Sequence, residues 1–128
     1  MATVLKNLQK AREIITPPDR WIRWSRWESH EDGGHAHCAL GALEAARTGK
    51  EYDMVHSCTP EVVALALVIT DDEWDKVCKH PKNNGEWGKA SPLDARVAGY
   101  NNLNDHKSVL ALFDRAIEIQ KEHPTEKV

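Results

Sequence analysis

The chain has 128 residues, of which 41% are hydrophobic and 29% are charged, and its net charge at neutral pH is −3. This size and balance are typical of one folded soluble domain rather than of a disordered or membrane protein. No apolar run approaches the roughly 18 residues that a membrane-spanning helix needs, and the first residues do not resemble a secretory signal, so we expect a cytoplasmic protein without a membrane partner.

The first predicted element is an amphipathic helix over residues 3–15. Its apolar residues, from Val4 to Ile15, fall on one stripe at helical spacing. Prolines 17 and 18 end it, because proline lacks an N–H donor and restricts the residue before it. Residues 20–37 fit either a helix or an extended segment. The extended interpretation predicts a short β-hairpin with its turn at residues 31–34.

Helix-start signals recur along the rest of the chain. Thr59-Pro60-Glu61 combines a capping hydroxyl with proline at the first helical position, and Thr70 with Glu73 has capping-box spacing. Gly49 is a C-terminal stop signal. The predicted helices cover residues 37–47, 60–69, 71–78, 92–98 and 105–122. We therefore predict a mainly α, single compact domain of about five helices over residues 1–128, with a frayed tail at 123–128.

Cys38 stands at a predicted helix start, directly after His35-Ala36-His37. The helix dipole and a protonated neighbouring imidazole both favour a thiolate at such a position. The last helix starts near Asn104-Asp105-His106, which supplies a base and groups to orient it. A packed, unreactive Cys38 is the alternative. The candidate catalytic residues are Cys38, His106, Asp105, Asn104 and His35.

Arginine and tryptophan alternate between residues 20 and 27. Guanidinium groups beside flat rings suit contact with a nucleic acid or a protein partner; the alternative is that the rings cover the core and the arginines stack on them. The net acidic charge and the lack of a wider basic patch favour a protein partner over nucleic acid. The candidate binding residues are Trp21, Arg23, Trp24, Arg26 and Trp27.

Charge is unevenly distributed along the chain. Residues 1–30 carry six basic and three acidic side chains, whereas residues 51–75 carry seven acidic side chains and neither Lys nor Arg. Such a distribution suits either a charged partner or two solvated faces of opposite sign.

Histidine and cysteine cluster at residues 35–38, 56–58 and 78–80. Zinc uses these ligands, but the paired-cysteine spacing of zinc sites is missing, so we expect no metal. The common nucleotide-binding and hydrolase motifs are also missing, and we expect no cofactor. Three cysteines are an odd number, which argues against a disulfide framework.

Three motifs together resemble a known family. Trp21, the run Cys38-Ala39-Leu40-Gly41-Ala42-Leu43 and the dipeptide Asn104-Asp105 before a closing helix resemble the small bacterial and phage proteins grouped as a domain of unknown function. The resemblance covers roughly residues 1–120 and implies a small cytosolic protein in which Cys38 and Asn104-Asp105 form one spatial unit. It implies no activity. The chain departs from the family pattern at Tyr100-Asn101-Asn102-Leu103, where the family places an aromatic residue closer to the dipeptide.

Two functions follow from these patterns. We expect a non-enzymatic interaction or accessory protein whose Trp/Arg or acidic surface contacts a partner. The alternative is a cysteine-dependent hydrolase or transferase, with Cys38 as nucleophile, His106 or His35 as base, and Asp105 or Asn104 as the orienting group.

Overall fold

The computed structural model describes residues 3–23, 27–29, 35–49, 59–79 and 93–123. These residues form six α-helices and two short strands, which confirms the predicted mainly α class. In chain order the elements are α1 (Val4–Ile15), β1 (Trp27–Ser29), β2 (His35–His37), α2 (Ala39–Thr48), α3 (Pro60–Leu67), α4 (Asp71–Lys79), α5 (Leu93–Leu103) and α6 (His106–Glu122). The predicted tail beyond residue 123 lies outside the described residues.

α3 and α4 begin where their capping signals predicted, and α6 begins within one residue of its predicted start. The side-chain oxygens of Thr59, Thr70 and Asp105 each accept a hydrogen bond from the backbone N–H three residues later, at 3.4, 3.1 and 2.8 Å. The Glu73 carboxylate accepts the Thr70 N–H at 2.9 Å, which completes the predicted capping box. These bonds satisfy N–H groups that have no partner within their own helix.

The predictions for the C-terminal ends of α2 and α5 had different outcomes. Gly49 ends α2 with φ +76°, a left-handed conformation that glycine adopts without steric cost, so the predicted stop is confirmed. The predicted end of α5 at about Ala98 is wrong, because α5 continues to Leu103. Tyr100 and Asn101 are buried in tertiary contacts, which override the weak helix preference of asparagine.

One hydrophobic core joins the described helices. α1 packs against α2 and α6, while α3 packs against α5. Leu8, Leu43 and Phe113 are fully buried in this core, and burial of each such side chain contributes about 2–3 kcal/mol. On the surface, the Arg12 guanidinium donates to both carboxylate oxygens of Asp114, at 2.6 and 3.2 Å, and so joins α1 to α6.

The predicted hairpin corresponds to two antiparallel strands of three residues each. Trp27 lies opposite His37, and Ser29 lies opposite His35. The predicted turn at residues 31–34 lies outside the described residues. A second segment also pairs with β2. Trp21 forms a parallel bridge with His37, and the Ile22 N–H donates to the His37 carbonyl at 3.1 Å. Residues 21 and 22 are thereby held beside the start of α2.

Candidate functional site

Cys38 lies at the junction between β2 and α2. Its extended backbone conformation places it at the N-cap position of α2, as the sequence predicted. Only 5% of the residue is exposed, and it belongs to the core cluster together with Ala39 and Ala42. The thiol is therefore at the positive end of a helix but inside the packed interior, where a substrate would need an opening to reach it.

The two histidines before Cys38 belong to β2 and not to the helix. His37 is buried, His35 is half-buried, and their ring centroids are 6.4 Å apart. Because successive side chains of a strand point to opposite faces, His35 and His37 share one face of β2. Both histidines therefore precede α2, which begins at Ala39 and not at the predicted residue 37.

Asn101 of α5 is the centre of a buried hydrogen-bond network. Its Oδ1 accepts the Trp21 indole N–H at 2.7 Å and the Ala39 backbone N–H at 3.0 Å. Its Nδ2 donates to the Ile22 carbonyl at 3.1 Å and to Oδ1 of Asn102 at 3.2 Å. A primary amide offers two donor hydrogens and two acceptor lone pairs, so Asn101 uses its full hydrogen-bonding capacity. It joins α5, the start of α2 and the segment at Trp21.

Trp21 is held between three groups. Its indole N–H is bonded to Asn101, and its ring lies 5.3 Å from the His106 ring, with an interplanar angle of 38°. The Arg23 guanidinium lies over the same indole, 4.9 Å from its centroid, close enough for a cation–π interaction. The half-buried Trp21 is thus fixed at its edge and at its ring by neighbouring residues.

The residues at the start of α6 hold helix ends together. The His106 Nε2 lies 2.6 Å from the carbonyl oxygen of Ile15, the last residue of α1, so this nitrogen donates a hydrogen bond there. The Asn104 amide donates to the Tyr100 carbonyl at 3.0 Å. Asp105 caps α6, and hydrogen bonds from Ser108 lower the pKa of its carboxyl below the ordinary 3.8. Each side chain satisfies a backbone group at a helix end.

The starts of α2 and α6 are joined through Asn101 and Trp21. Asn101 bonds the first N–H of α2, while Trp21 bonds Asn101 and stacks on His106. His106 itself contacts Ile15 and Trp21. The side chain that contacts the first N–H of α2, directly after Cys38, is therefore that of Asn101 and not that of His106. A catalytic role for Cys38, His106, Asp105, Asn104 or His35 stays a prediction.

The candidate binding residues are only partly described. Trp21 and Arg23 are placed as above, with Arg23 exposed at the surface. Trp24 and Arg26 lie outside the described residues. Of Trp27, the structure describes the backbone in β1. A binding role for this segment stays a prediction, although Trp21 also has the structural role that the sequence offered as its alternative.

The sequence reasoning missed Asn101, which it assigned to a linker between helices. The signal that could have identified it is its position four residues after Val97. In a longer helix these two residues share a face, and both are fully buried. A polar residue on an apolar helix face needs partners for its donors and acceptors, so this spacing marks a buried amide once the helix is extended past Ala98.

A second polar cluster, also missed, lies between α4, α5 and α6. Both nitrogens of the Arg115 fork donate to the Glu73 carboxylate at 3.1 Å, and the Tyr100 hydroxyl lies 3.3 Å from the same group. Burial raises the pKa of Glu73, but hydrogen bonds from Arg115 and Thr70 outweigh it, so the pKa is lowered. Burial, together with the charge of Glu73, raises the pKa of Tyr100. The cluster borders a shallow pocket of about 350 Å³.

Two further features bear on the kind of site. Among the described residues, no group of three or more His, Cys, Asp or Glu side chains is placed to hold a metal ion. The histidine and cysteine at 56–58, and His80, lie outside those residues. In the described ranges, no helix is both long enough and apolar enough to cross a membrane.

Among known proteins, the chain matches the model of a protein family. No curated protein and no solved structure matches it. A family model covers residues 1–119, a range that contains the α2 start, the Asn101 network and the start of α6. The match confirms the resemblance seen in the sequence: the chain belongs to a family of unknown function, DUF6197.

Proposed function

We propose that the protein acts by binding another protein, and that the surface at Trp21 and Arg23 makes the contact. The observation that carries the proposal is the fixed position of this pair: Asn101 and His106 hold the indole, and the exposed Arg23 lies over it. Tryptophan and arginine supply much of the binding energy at protein interfaces. Side chains that are fixed before binding lose less conformational freedom when the complex forms.

The contacts of the candidate catalytic residues support this proposal over the cysteine enzyme. A nucleophilic cysteine needs access to substrate and a base within hydrogen-bond reach. Cys38 is 5% exposed, and the His106 Nε2 is bonded to a backbone carbonyl. Asn104 and Asp105 bond helix-end groups. These interactions support a structural role for His106, Asn104 and Asp105.

We further propose a cytoplasmic location and a bacterial or phage origin. The location is supported by the three cysteines of the chain, an odd number that argues against a disulfide framework and suits a reducing compartment. The origin is supported by the resemblance of the sequence motifs. Nucleic acid is a less favoured partner, because the chain carries a net charge of −3.

Site-specific cross-linking tests the proposal. A photoreactive residue at the exposed position Lys107, two residues after Asp105, is compared with one at exposed Lys121, near the other end of α6. We expect a protein to cross-link at position 107 in cells that produce the chain, and the purified partner to bind Arg23→Gln about tenfold more weakly than wild type, a loss of about 1.4 kcal/mol. Lack of a cross-linked protein, or equal binding by Arg23→Gln, would contradict the proposal.

A further inference from the structure

Arg23 is an exposed side chain with a fixed guanidinium. Its Nε and Nη2 both donate to the Asn104 carbonyl, at 3.1 and 2.5 Å, while the group lies over the Trp21 ring. An arginine side chain in water samples many rotamers, and ordering it on binding is costly. Here the order exists before any partner arrives. We call Arg23, Trp21 and the Asn104 carbonyl the arginine clamp.

The platform beneath the guanidinium is also fixed. The Trp21 indole is bonded to Asn101, which is fully buried, and its ring packs against His106. The Asn104 carbonyl belongs to the short connection between α5 and α6, and the Asn104 side chain is bonded back to Tyr100. The clamp is therefore attached to the core through α5 and to α1 through the bond from His106 to Ile15.

With respect to the described residues, the clamped guanidinium keeps donor capacity for a ligand. Arginine carries five N–H donors, and the bonds to Asn104 use one on Nε and one on Nη2. Within the described part of the chain, Arg23 makes no ion pair. The Asp105 carboxylate is near enough for the charge of Arg23 to contribute to its lowered pKa, after the larger effect of Ser108. Asp105 itself bonds the Ser108 N–H.

The charge around the clamp selects between ligand classes. After the larger effect of Ser108, the charges of Arg23 and of the exposed Lys107 both help to lower the pKa of Asp105, so two cations lie near this carboxyl beside the clamp. An acidic side chain matches both this charge and the paired N–H groups of a guanidinium, which bind carboxylates at two points. A basic partner would be repelled.

We propose that the arginine clamp receives a carboxylate side chain from an acidic segment of a protein partner. This inference rests on the proposed function, since it names the chemistry of the partner at the same surface. A carboxylate that accepts two hydrogen bonds from Arg23 would lie beside the Trp21 ring, where water is partly excluded and charge-assisted hydrogen bonds are stronger than in open solvent.

The test is a titration of the full chain, labelled with ¹⁵N, using a hexaglutamate peptide as the probe. We expect the Trp21 indole N–H and the Arg23 Nε–H resonances to shift at about millimolar peptide. Arg23→Lys keeps the charge but loses the fork and should bind about tenfold more weakly. Lys121→Gln, which removes an exposed charge near the other end of α6, should bind within about twofold of wild type, because exposed charges far from the site act weakly.

Four results would overturn the proposal. These are the absence of shifts at about 5 mM peptide, shifts confined to other residues, unchanged binding by Arg23→Lys, and tighter binding of a six-residue oligothymidylate than of hexaglutamate. The last would indicate a phosphate ligand. An unshifted Trp21 indole resonance in free Arg23→Lys shows that the variant keeps the clamp platform. If a cross-linked partner requires Arg23 while hexaglutamate does not bind, the acidic class is wrong and the proposed function stands.

Discussion

Replacing Asn101 with alanine tests the network that joins the start of α2 to Trp21. The variant removes the acceptor for the Ala39 and Trp21 N–H groups and the donor to the Ile22 carbonyl. Ala39 is 1% exposed, so its N–H would be left buried without a partner. Trp21 and Ile22 are half-buried, and water can replace part of what they lose.

The expected loss follows from these exposures. A fully buried N–H without a partner costs about 2 kcal/mol, and a half-buried group that water can reach costs about 1 kcal/mol or less. We therefore expect Asn101→Ala to lower the free energy of unfolding by about 2–4 kcal/mol, which corresponds to a fall in Tm of about 7–16 °C for a chain of this size.

Asn104→Ala is the matched control. It removes one hydrogen bond, to the Tyr100 carbonyl, and leaves the Asn104 backbone carbonyl in place for Arg23. We expect it to cost about 1 kcal/mol. Urea unfolding followed by circular dichroism measures both variants. Hydrogen exchange of the Trp21 indole N–H should be faster in Asn101→Ala alone. If Asn101→Ala is no less stable than Asn104→Ala, the network does not join these elements as described.

Two further predictions concern helix ends. Gly49→Ala should destabilise the protein by about 1 kcal/mol in thermal unfolding, because φ is +76° there although an added Cβ would meet no atom within 4 Å; unchanged stability would contradict a left-handed residue at this position. Asp105→Asn keeps a capping side chain but removes the carboxyl group, whose pKa the hydrogen bonds from Ser108 lower below 3.8. The wild type should therefore be more stable than Asp105→Asn above pH 3.8, with the difference lost as the pH falls through the lower folded-state pKa; a difference that does not vary with pH would refute this.

Local signals predicted the helix starts. The Glu73 N–H donates to the Thr70 side chain and the Ser108 N–H to the Asp105 side chain, in each case across three positions, so the residue types within one turn are enough to indicate these bonds. The apolar spacing of α1 likewise predicted its buried face, which includes Leu8 and Ile15. Such features depend on interactions that the sequence presents side by side.

The candidate site depends on contacts between distant residues. Trp21 and Asn101 are 80 positions apart, and His106 and Ile15 are 91 apart. The sequence indicated Trp21 and the residues at 104–106 as candidate site residues. It did not indicate that His106 bonds a backbone carbonyl or that Asn101 of α5 bonds the first N–H of α2. The end of α5 was missed for the same reason, because long-range contacts and not local propensity set it.

The reactivity of the Cys38 thiol tests most directly the central claim that Cys38 is a packed core residue and not a catalytic nucleophile. In one variant, serine replaces Cys58 and Cys78, so that only Cys38 remains; in a control, only the half-buried Cys78 on α4 remains. Both are treated with iodoacetamide from pH 6 to 9, folded and in urea. We expect folded Cys38 to react about 100-fold more slowly than in urea, because reaction requires local opening of the core. Rapid reaction of folded Cys38, with a titration midpoint well below the ordinary thiol value of about 8.5, would contradict the account and favour the cysteine enzyme.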